Sequence, residues 1–181
     1  MFLTQDDHTL HCALHGPEGA PVLVLLHSLG TSGQLWQAQV ERLSGQNRIL
    51  CPDFRGHGLS AVSRRPLSIE RLADDVLAVL AAQGVERFAL AGISLGGVVA
   101  QAVAARVGER LSGLALFDSY VVTANPAMWR ERAATVRAQG LPSIAEGVLS
   151  LWMTPDERAT PQGEGLASLL RATPDEGYAA G

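Results

Sequence analysis

Short apolar runs and segments of helical periodicity alternate along the first two thirds of the chain. Runs such as "PVLVLL" at 21–26 are typical of strands buried on both faces, and apolar residues spaced three and four apart indicate helices. The pattern predicts strands over 9–17, 21–26, 47–53, 87–93 and 111–117, with helices over 32–43, 68–84 and 95–108. Alternating strands and helices favour an α/β fold, a mostly parallel sheet with helices on both faces.

The pattern changes after Pro126, where no further strand is indicated. Three short helices, separated by Pro and Gly, are predicted over 126–140, 143–153 and 163–173. A helical segment that follows an α/β half is what a cap or lid looks like. We therefore divide the chain into an α/β part at 1–123 and a helical cap at 124–181.

Composition excludes several classes of function. The chain has 181 residues, 47% of them hydrophobic and 18% charged, which suits one folded domain. Its formal net charge is −4 and it has no basic stretch, so a nucleic acid is not an expected partner. Cys12 and Cys51 are isolated thiols, which argues against a zinc site or a disulfide framework and for a reducing compartment. We expect no metal and no cofactor.

The N-terminus does not look like a targeting segment. Asp6 and Asp7 stand where a signal peptide would carry basic residues and an apolar core. Apolar runs also fall short of the roughly 20 residues that a membrane-spanning helix needs. The expectation is a cytoplasmic protein without a membrane partner.

Candidate chemistry centres on "AGISLGGVVA" at 91–100. Gly92-Ile93-Ser94-Leu95-Gly96 matches G-x-S-x-G between a predicted strand and a predicted helix. A sharp turn of this kind strains the serine backbone, needs small neighbours, and presents Oγ beside the N-terminus of a helix. A tight glycine-rich crossing with an incidental serine is the alternative. The glycine spacing matches neither a dinucleotide fingerprint nor a phosphate-binding loop.

Three motifs together carry a family resemblance. "HSLG" at 27–30, "DFRGHGLS" at 53–60 and "GISLGG" at 92–97, in this order, resemble the α/β-hydrolase superfamily from about Thr9 onward. "HSLGTSGQLWQAQV", "YVVTANPAMWRERAATVRAQG" and "SIAEGVLSLWMTP" are similar to the oxyanion loop and cap of 3-oxoadipate enol-lactonases. The resemblance implies an α/β-hydrolase sheet with flanking helices, followed by a cap.

The resemblance also implies roles for particular residues. Ser94 would be the nucleophile, and the backbone N–H groups of Leu29 and Leu95 would form the oxyanion hole. His27, His57 and Asp53 are interpreted as residues that fix the loops rather than as catalysts.

The family's order of catalytic residues, Ser then Asp or Glu then His, is incomplete here. All five histidines, at 8, 11, 15, 27 and 57, precede Ser94. Asp118 follows the strand after the elbow, where some members place the triad carboxylate, although a carboxylate that simply ends a strand is the alternative. We expect a fragment that lacks the C-terminal strands and the triad His, and that is therefore nearly inactive. We also expect the predicted strand 111–117 to be an exposed apolar edge of the sheet, through which the chain can self-associate.

The function implied by the resemblance is the opening of a small carboxylated lactone, 3-oxoadipate enol-lactone, in aromatic degradation. Trp129, beside Arg130 and Arg132, is a candidate substrate-binding residue, with ordinary packing as its alternative. Trp129 and Val136 are expected to face inward and Arg130 and Arg137 outward. A general carboxylesterase, a perhydrolase and a non-catalytic binding protein with the same fold remain open.

Overall fold

Six strands form one sheet in the computed structural model, which describes residues 1–5, 8–63 and 65–181; Asp6 and Asp7, used above, lie outside the described residues. The strands are β1 (Phe2–Gln5), β2 (His8–His15), β3 (Val22–Leu26), β4 (Arg48–Pro52), β5 (Phe88–Ile93) and β6 (Leu111–Phe117). Their order across the sheet is β1-β2-β4-β3-β5-β6. β3 to β6 run parallel, and β2 is antiparallel to both β1 and β4. The expected α/β class with a mostly parallel sheet is confirmed.

Helices fill the connections between the parallel strands and then the second part of the chain. A short 3-10 turn at Gly33–Trp36 leads into α1 (Gln37–Leu43), and another at Gly108–Arg110 precedes β6. α2 (Ile69–Ala82) begins at Ser68, whose side chain accepts a hydrogen bond from the N–H of Arg71, as an N-cap does. α3 (Leu95–Val107) follows β5 directly.

The second part is helical in all its regular elements, as expected. Its helices are α4 (Pro126–Gln139), α5 (Pro142–Trp152), α6 (Pro155–Arg158), α7 (Pro161–Ala172) and α8 (Asp175–Ala180). The first four begin with proline, whose missing N–H costs nothing in a first turn. β1, α6 and α8 were not predicted, because four to six residues are too few to show a periodic pattern.

Side chains of the central strands alternate between two apolar clusters, one on each face of the sheet. Val24, Leu26 and Leu90 belong to the larger cluster, whereas Leu25 and Ala91 belong to the smaller one. The larger cluster continues into the helical part through residues including Val136, Leu149, Leu170 and Tyr178. This continuity holds the helices against the loops at the carboxyl ends of β3 and β5.

β6 is the last strand of the sheet and pairs only with β5 among the described residues. Leu114, Leu116 and Phe117 are 42%, 43% and 48% exposed, so apolar side chains on both faces of this strand contact solvent. An exposed apolar edge was expected here. Within the part of the chain that the structure describes, no helix has the length and apolarity to cross a membrane.

Candidate active site

Ser94 lies at the sharp turn between β5 and α3. Its backbone has φ 52° and ψ −118°, a strained conformation for a residue that is not glycine. The turn is held from two directions: the Ser94 N–H donates to the carbonyl oxygen of Phe117 over 3.0 Å, and the Ser94 carbonyl accepts from Ser119 Oγ over 2.9 Å. β6 and the residues after it therefore brace the strained serine.

Three glycines permit this turn because no side chain would fit. A Cβ on Gly92 would overlap the carbonyl oxygen of Gly96, and one on Gly96 would overlap the carbonyl oxygen of Leu26. A Cβ on Gly97 would overlap Ser119 Oγ. The start of α3 thus packs directly against the end of β3 and against the turn after β6. The steric reason given for the G-x-S-x-G pattern holds in the folded chain.

Ser94 opens into a pocket of about 240 Å³. No described residue forms a hydrogen bond with its hydroxyl group, so Oγ is free to meet a ligand. The other lining residues are Ser28, Thr31, Leu35, Ile93, Asp118, Leu151, Trp152 and Leu166. The pocket is mostly apolar, with hydroxyl groups and one carboxylate, a lining that suits a small organic ligand with a few polar atoms.

Two backbone N–H groups, those of Leu29 and Leu95, are without partners in the described part of the chain. Leu95 is the first residue of α3, where a helix has no carbonyl for its N–H, and the Leu29 N–H likewise donates to no acceptor there. A Cβ atom added to Gly181 would lie 2.8 Å from Leu29 Cδ1 and 3.5 Å from Leu95 Cδ2, so the side chains of the two leucines are neighbours. The side chains of the two residues that carry the candidate donors thus lie near each other.

His27 and His57 hold the loop that carries Leu29. The N–H of Gly30 donates to His57 Nε2 over 3.0 Å, and His57 Nδ1 donates to the carbonyl of Arg55 over 3.0 Å. The N–H of Phe54 donates to His27 Nε2 over 2.9 Å, and His27 Nδ1 donates to the carbonyl of Ser28 over 2.8 Å. Burial lowers the pKa of His27 from 6.5 to about 3, helped by the nearby His57, and burial also lowers the pKa of His57. Both rings are neutral structural groups, as interpreted from the sequence.

Asp53 ties the same loops together. Its Oδ1 accepts from the N–H of Gly33 over 2.7 Å, and its Oδ2 accepts from the N–H of Leu59 over 3.0 Å. His11 Nδ1 lies 2.8 Å from the same Oδ2. Asp53 is 5% exposed, and both of its carboxylate oxygens accept hydrogen bonds from loop N–H groups. It therefore fixes the loops, as interpreted from the sequence, and it does not line the Ser94 pocket.

The described residues place no histidine at Ser94. His8 lies 3.5 Å from Asp75, His11 contacts Asp53, and His15 ends β2 opposite Ile49. None of the five histidines lines the Ser94 pocket. Asp118 does line it: this exposed residue, with φ 41°, follows β6 directly.

The two tryptophans of the helical part lie in different pockets. Trp152 lines the Ser94 pocket, together with Leu151 and Leu166. Trp129 lines a second pocket, of about 260 Å³, that borders Leu29. Trp129 is half-buried and Val136 is buried, whereas Arg130 and Arg137 are exposed, which agrees with the expected faces of α4. No role was expected for Leu151, Leu166 and Tyr178, because no local pattern marks the residues of three different helices that pack near the strand ends.

No group of three or more His, Cys, Asp or Glu side chains in the described ranges is arranged to hold a metal ion. The site combines a hydroxyl group at a strained turn, an open pocket, and two backbone N–H groups that have no partner among the described residues. Such an arrangement can add a serine oxygen to a carbonyl and stabilise the resulting oxyanion.

Comparison with known proteins is consistent with this geometry. The alpha/beta hydrolase fold family matches residues 21–150. A 3-oxoadipate enol-lactonase of Acinetobacter baylyi is 33% identical over 153 residues, covering 84% of this chain and 57% of the relative. A second enol-lactonase of that organism is 32% identical over 181 residues, covering 99% of this chain and 68% of the relative.

A solved structure shows the same likeness in three dimensions. The enol-lactonase from Burkholderia xenovorans superposes with a TM-score of 0.93 at 33% identity, over 99% of this chain and 71% of that chain. The chain described here thus spans 57% to 68% of the length of the two curated relatives.

Proposed function

Because this chain belongs to the alpha/beta hydrolase fold family, we propose that it carries the nucleophile of a serine hydrolase that cleaves small esters or lactones. Within that class we propose a carboxylated lactone, 3-oxoadipate enol-lactone, as the substrate, because two relatives and one solved structure of similar sequence are enol-lactonases. The proposal is supported by the strained Ser94 turn and by the N–H groups of Leu29 and Leu95, which have no partner among the described residues.

The proposed reaction uses these groups in order. Ser94 Oγ attacks the lactone carbonyl carbon while a base takes its proton, and the Leu29 and Leu95 N–H groups stabilise the negative charge on the carbonyl oxygen. The bond from carbon to the ring oxygen then breaks, and the enolate that leaves takes up a proton and tautomerises to a ketone. Water attacks the acyl group on Ser94 and releases the acid.

No residue in the described part of the chain supplies the base of this scheme. None of the five histidines lies at the pocket, and Asp118 has no imidazole to orient among the described residues. We therefore propose that the 181-residue chain by itself can be acylated at Ser94 but turns over slowly. Removing the base of such a unit costs several orders of magnitude in turnover.

Substrate recognition is proposed to involve the helical cap at 124–181. Trp152 supplies an aromatic wall to the Ser94 pocket, and we retain Trp129 as a candidate substrate-binding residue because it borders the adjoining pocket beside Leu29. The second candidate function is a general carboxylesterase. It is favoured by the apolar lining that Leu35, Leu151 and Leu166 provide, which also suits the acyl chain of an uncharged ester.

We also propose that a second copy of the chain pairs with β6. This strand, "LSGLALF", contains neither a charged residue nor proline, the features that usually protect an edge strand from pairing. Val121 and Val122, each 79% exposed, extend the apolar surface beyond its end.

Labelling with a fluorophosphonate tests the role of Ser94 without needing turnover. We expect an adduct on Ser94 of the 181-residue chain, formed slowly because no described residue deprotonates the hydroxyl group, located by peptide mass spectrometry, and none on Ser94→Ala. Ser112→Ala, a change on the exposed β6, is the matched control and should label normally. Equal labelling of Ser94→Ala, or an adduct on another serine, would overturn the proposal. Unlabelled protein that hydrolyses uncharged esters but ignores carboxylated lactones would select the carboxylesterase.

A further inference from the structure

The helical part of the chain contacts the loop that carries Leu29. The backbone of Gly30 has φ 73°, and a Cβ added to Gly30 would lie 2.7 Å from Leu170 Cδ1 and 2.9 Å from Tyr178 Cε2. Tyr178 is 4% exposed, so its ring is packed inside the protein at this contact. Side chains of α7 and α8 therefore enclose Gly30, and a larger residue would not fit there.

α8 also contacts the loop that follows β4. A Cβ added to Gly177 would overlap the carbonyl oxygen of Gly56, and one added to Gly56 would lie 2.5 Å from Gly177 Cα. Glycine is unfavourable within a helix, so its presence in α8 suits a place where two backbones touch. Gly56 precedes His57, whose ring accepts the N–H of Gly30. α8 thus contacts one partner of this buried hydrogen bond and the residue next to the other partner.

The rest of the helical part holds α8 near both of its ends. Arg137 of α4 forms a two-pronged ion pair with Glu176, with both distances 2.9 Å, and donates to the carbonyl of Ala179 over 3.1 Å. The N–H of Leu141, just before α5, donates to Asp175 Oδ1 over 2.7 Å. α8 therefore connects α4 to the two loops through direct contacts.

The place of Gly30 affects the proposed oxyanion hole because Leu29 is its neighbour in the chain. A backbone N–H stabilises an oxyanion only when it lies about 2.7–3.1 Å from the charged oxygen. A displacement of Gly30 by about 1 Å would therefore take the Leu29 N–H out of hydrogen-bonding range.

We propose that Gly177 and Tyr178 position the loop that carries Leu29, and that α8 thereby couples the placement of the helical part to the oxyanion hole. Both are positioning residues, since they act through Gly30 and the loop of His57 and not on a reacting atom. The consequence for catalysis rests on the proposed function, whereas the support that α8 gives to Gly30 does not.

Amide hydrogen exchange of Gly30, measured by NMR on the 181-residue chain, tests this support without any reaction at Ser94. Tyr178→Ala removes the ring that covers Gly30, so exchange there should speed up at least about tenfold more than exchange of the β3 amides, which report global stability. Tyr178→Phe keeps the ring and should leave Gly30 exchange within about twofold. Tyr178→Leu is a milder truncation that makes the same comparison, with a smaller increase, if Tyr178→Ala does not fold.

The kinetics of fluorophosphonate labelling test the consequence for Ser94. The rate constant of the covalent step, kinact, should fall about tenfold in Tyr178→Ala, because a displaced donor loses part of the 10²–10³-fold effect of an oxyanion-hole donor. Tyr178→Phe should restore kinact. The reversible affinity, KI, should change little, because other residues line the Ser94 pocket. A loss of folded protein would instead lower the labelled fraction and leave kinact unchanged.

Phe88→Ala is the matched control, because it truncates a similarly buried aromatic residue at the opposite end of β5 from Ser94. It should destabilise the chain without lowering kinact and without a selective increase in Gly30 exchange. Gly30 exchange that follows the β3 amides in a folded Tyr178 variant, an unchanged kinact there, or an equal fall of kinact in Phe88→Ala would overturn the proposal. If Ser94 resists labelling in the unchanged chain while Gly30 exchange depends on Tyr178, the proposed function fails and the support by α8 stands.

Discussion

The N–H of Gly30 donates a buried hydrogen bond of 3.0 Å to Nε2 of His57, 27 positions further along the chain. The bond fixes the loop that carries Leu29 next to the loop that follows β4. Because the other ring nitrogen of His57 bonds the Arg55 carbonyl, the imidazole links the two loops through both of its nitrogens. The loop that we propose to carry one donor of the oxyanion hole thus depends on a histidine that takes no part in the proposed chemistry.

Replacing His57 should therefore weaken the fold and the site together. His57→Ala leaves the Gly30 N–H buried without an acceptor, which costs about 1–3 kcal/mol of unfolding free energy, with a further loss from the cavity. Urea denaturation measures the loss, and fluorophosphonate labelling of Ser94 should slow in the same variant. His15→Ala, at the half-buried end of β2, is the control. Equal losses in the two variants would contradict the special role of His57.

Stability should fall on mild acidification because His27 and His57 are buried as neutral rings. Their pKa values are lowered in the folded chain, that of His27 to about 3, whereas the unfolded chain binds these protons near pH 6.5. The unfolded state is thus stabilised below pH 6.5, and each histidine lowers the unfolding free energy by up to about 1.4 kcal/mol per pH unit toward its folded-state pKa.

Urea denaturation from pH 7.5 to 4.5 checks this dependence. His57→Gln keeps an acceptor for Gly30 and a donor for Arg55 but cannot titrate, so its stability should depend less steeply on pH than that of the unchanged chain. His15→Gln serves as the control and should keep the original slope. An unchanged slope in a folded His57→Gln would show that another group carries the pH dependence.

The glycines of the Ser94 turn should not tolerate a methyl group. In Gly92→Ala the new Cβ overlaps the backbone of Gly96, which cannot move cheaply, so we expect a loss of about 1–3 kcal/mol or more. Gly147→Ala, within α5, meets no atom within 4 Å and should instead gain up to about 1 kcal/mol from helix propensity. Thermal and urea denaturation of both variants provide the comparison. If Gly92→Ala left the free energy of unfolding unchanged, the turn would have room for a Cβ and would be less tightly packed than described.

Added imidazole should raise the slow turnover of the chain. A small base that diffuses into the open Ser94 pocket can accept the proton of Oγ, so hydrolysis of a chromogenic acetate ester should increase several-fold above the imidazole background. The background is measured with Ser94→Ala, which should show no protein-dependent increase. Fast turnover without imidazole would contradict the absence of a base at Ser94.

The exposed edge of the sheet should cause self-association that depends on concentration. Sedimentation velocity over a range of concentrations should show dimers or larger species, and Leu116→Lys should shift them toward monomer, because a charge on an edge strand opposes pairing. Leu59→Lys, at an exposed loop position away from β6, is the matched control and should leave association unchanged. A monomer at every concentration would rule out pairing through β6.

Much of the architecture and the Ser94 turn could be derived from local sequence. Strand and helix periods are properties of neighbouring residues, and so is the steric demand of Gly92, Ser94 and Gly96, which is why the pattern predicted both the alternating elements and the turn. Chain order alone also indicated that histidines stand only before Ser94. Short elements such as β1 and α6 were not predicted, because four residues are too few to show a period of hydrophobic positions.

Only the tertiary structure decided which distant residues meet. It put Trp152 rather than Trp129 at Ser94, stacked Arg132 on Trp129, and set Leu29 beside Leu95. These contacts depend on how α4, α5 and α8 pack over the carboxyl ends of the strands, which involves separations of tens of residues. Helical periodicity predicts which face of a helix is apolar, but packing against the rest of the chain determines what that face contacts.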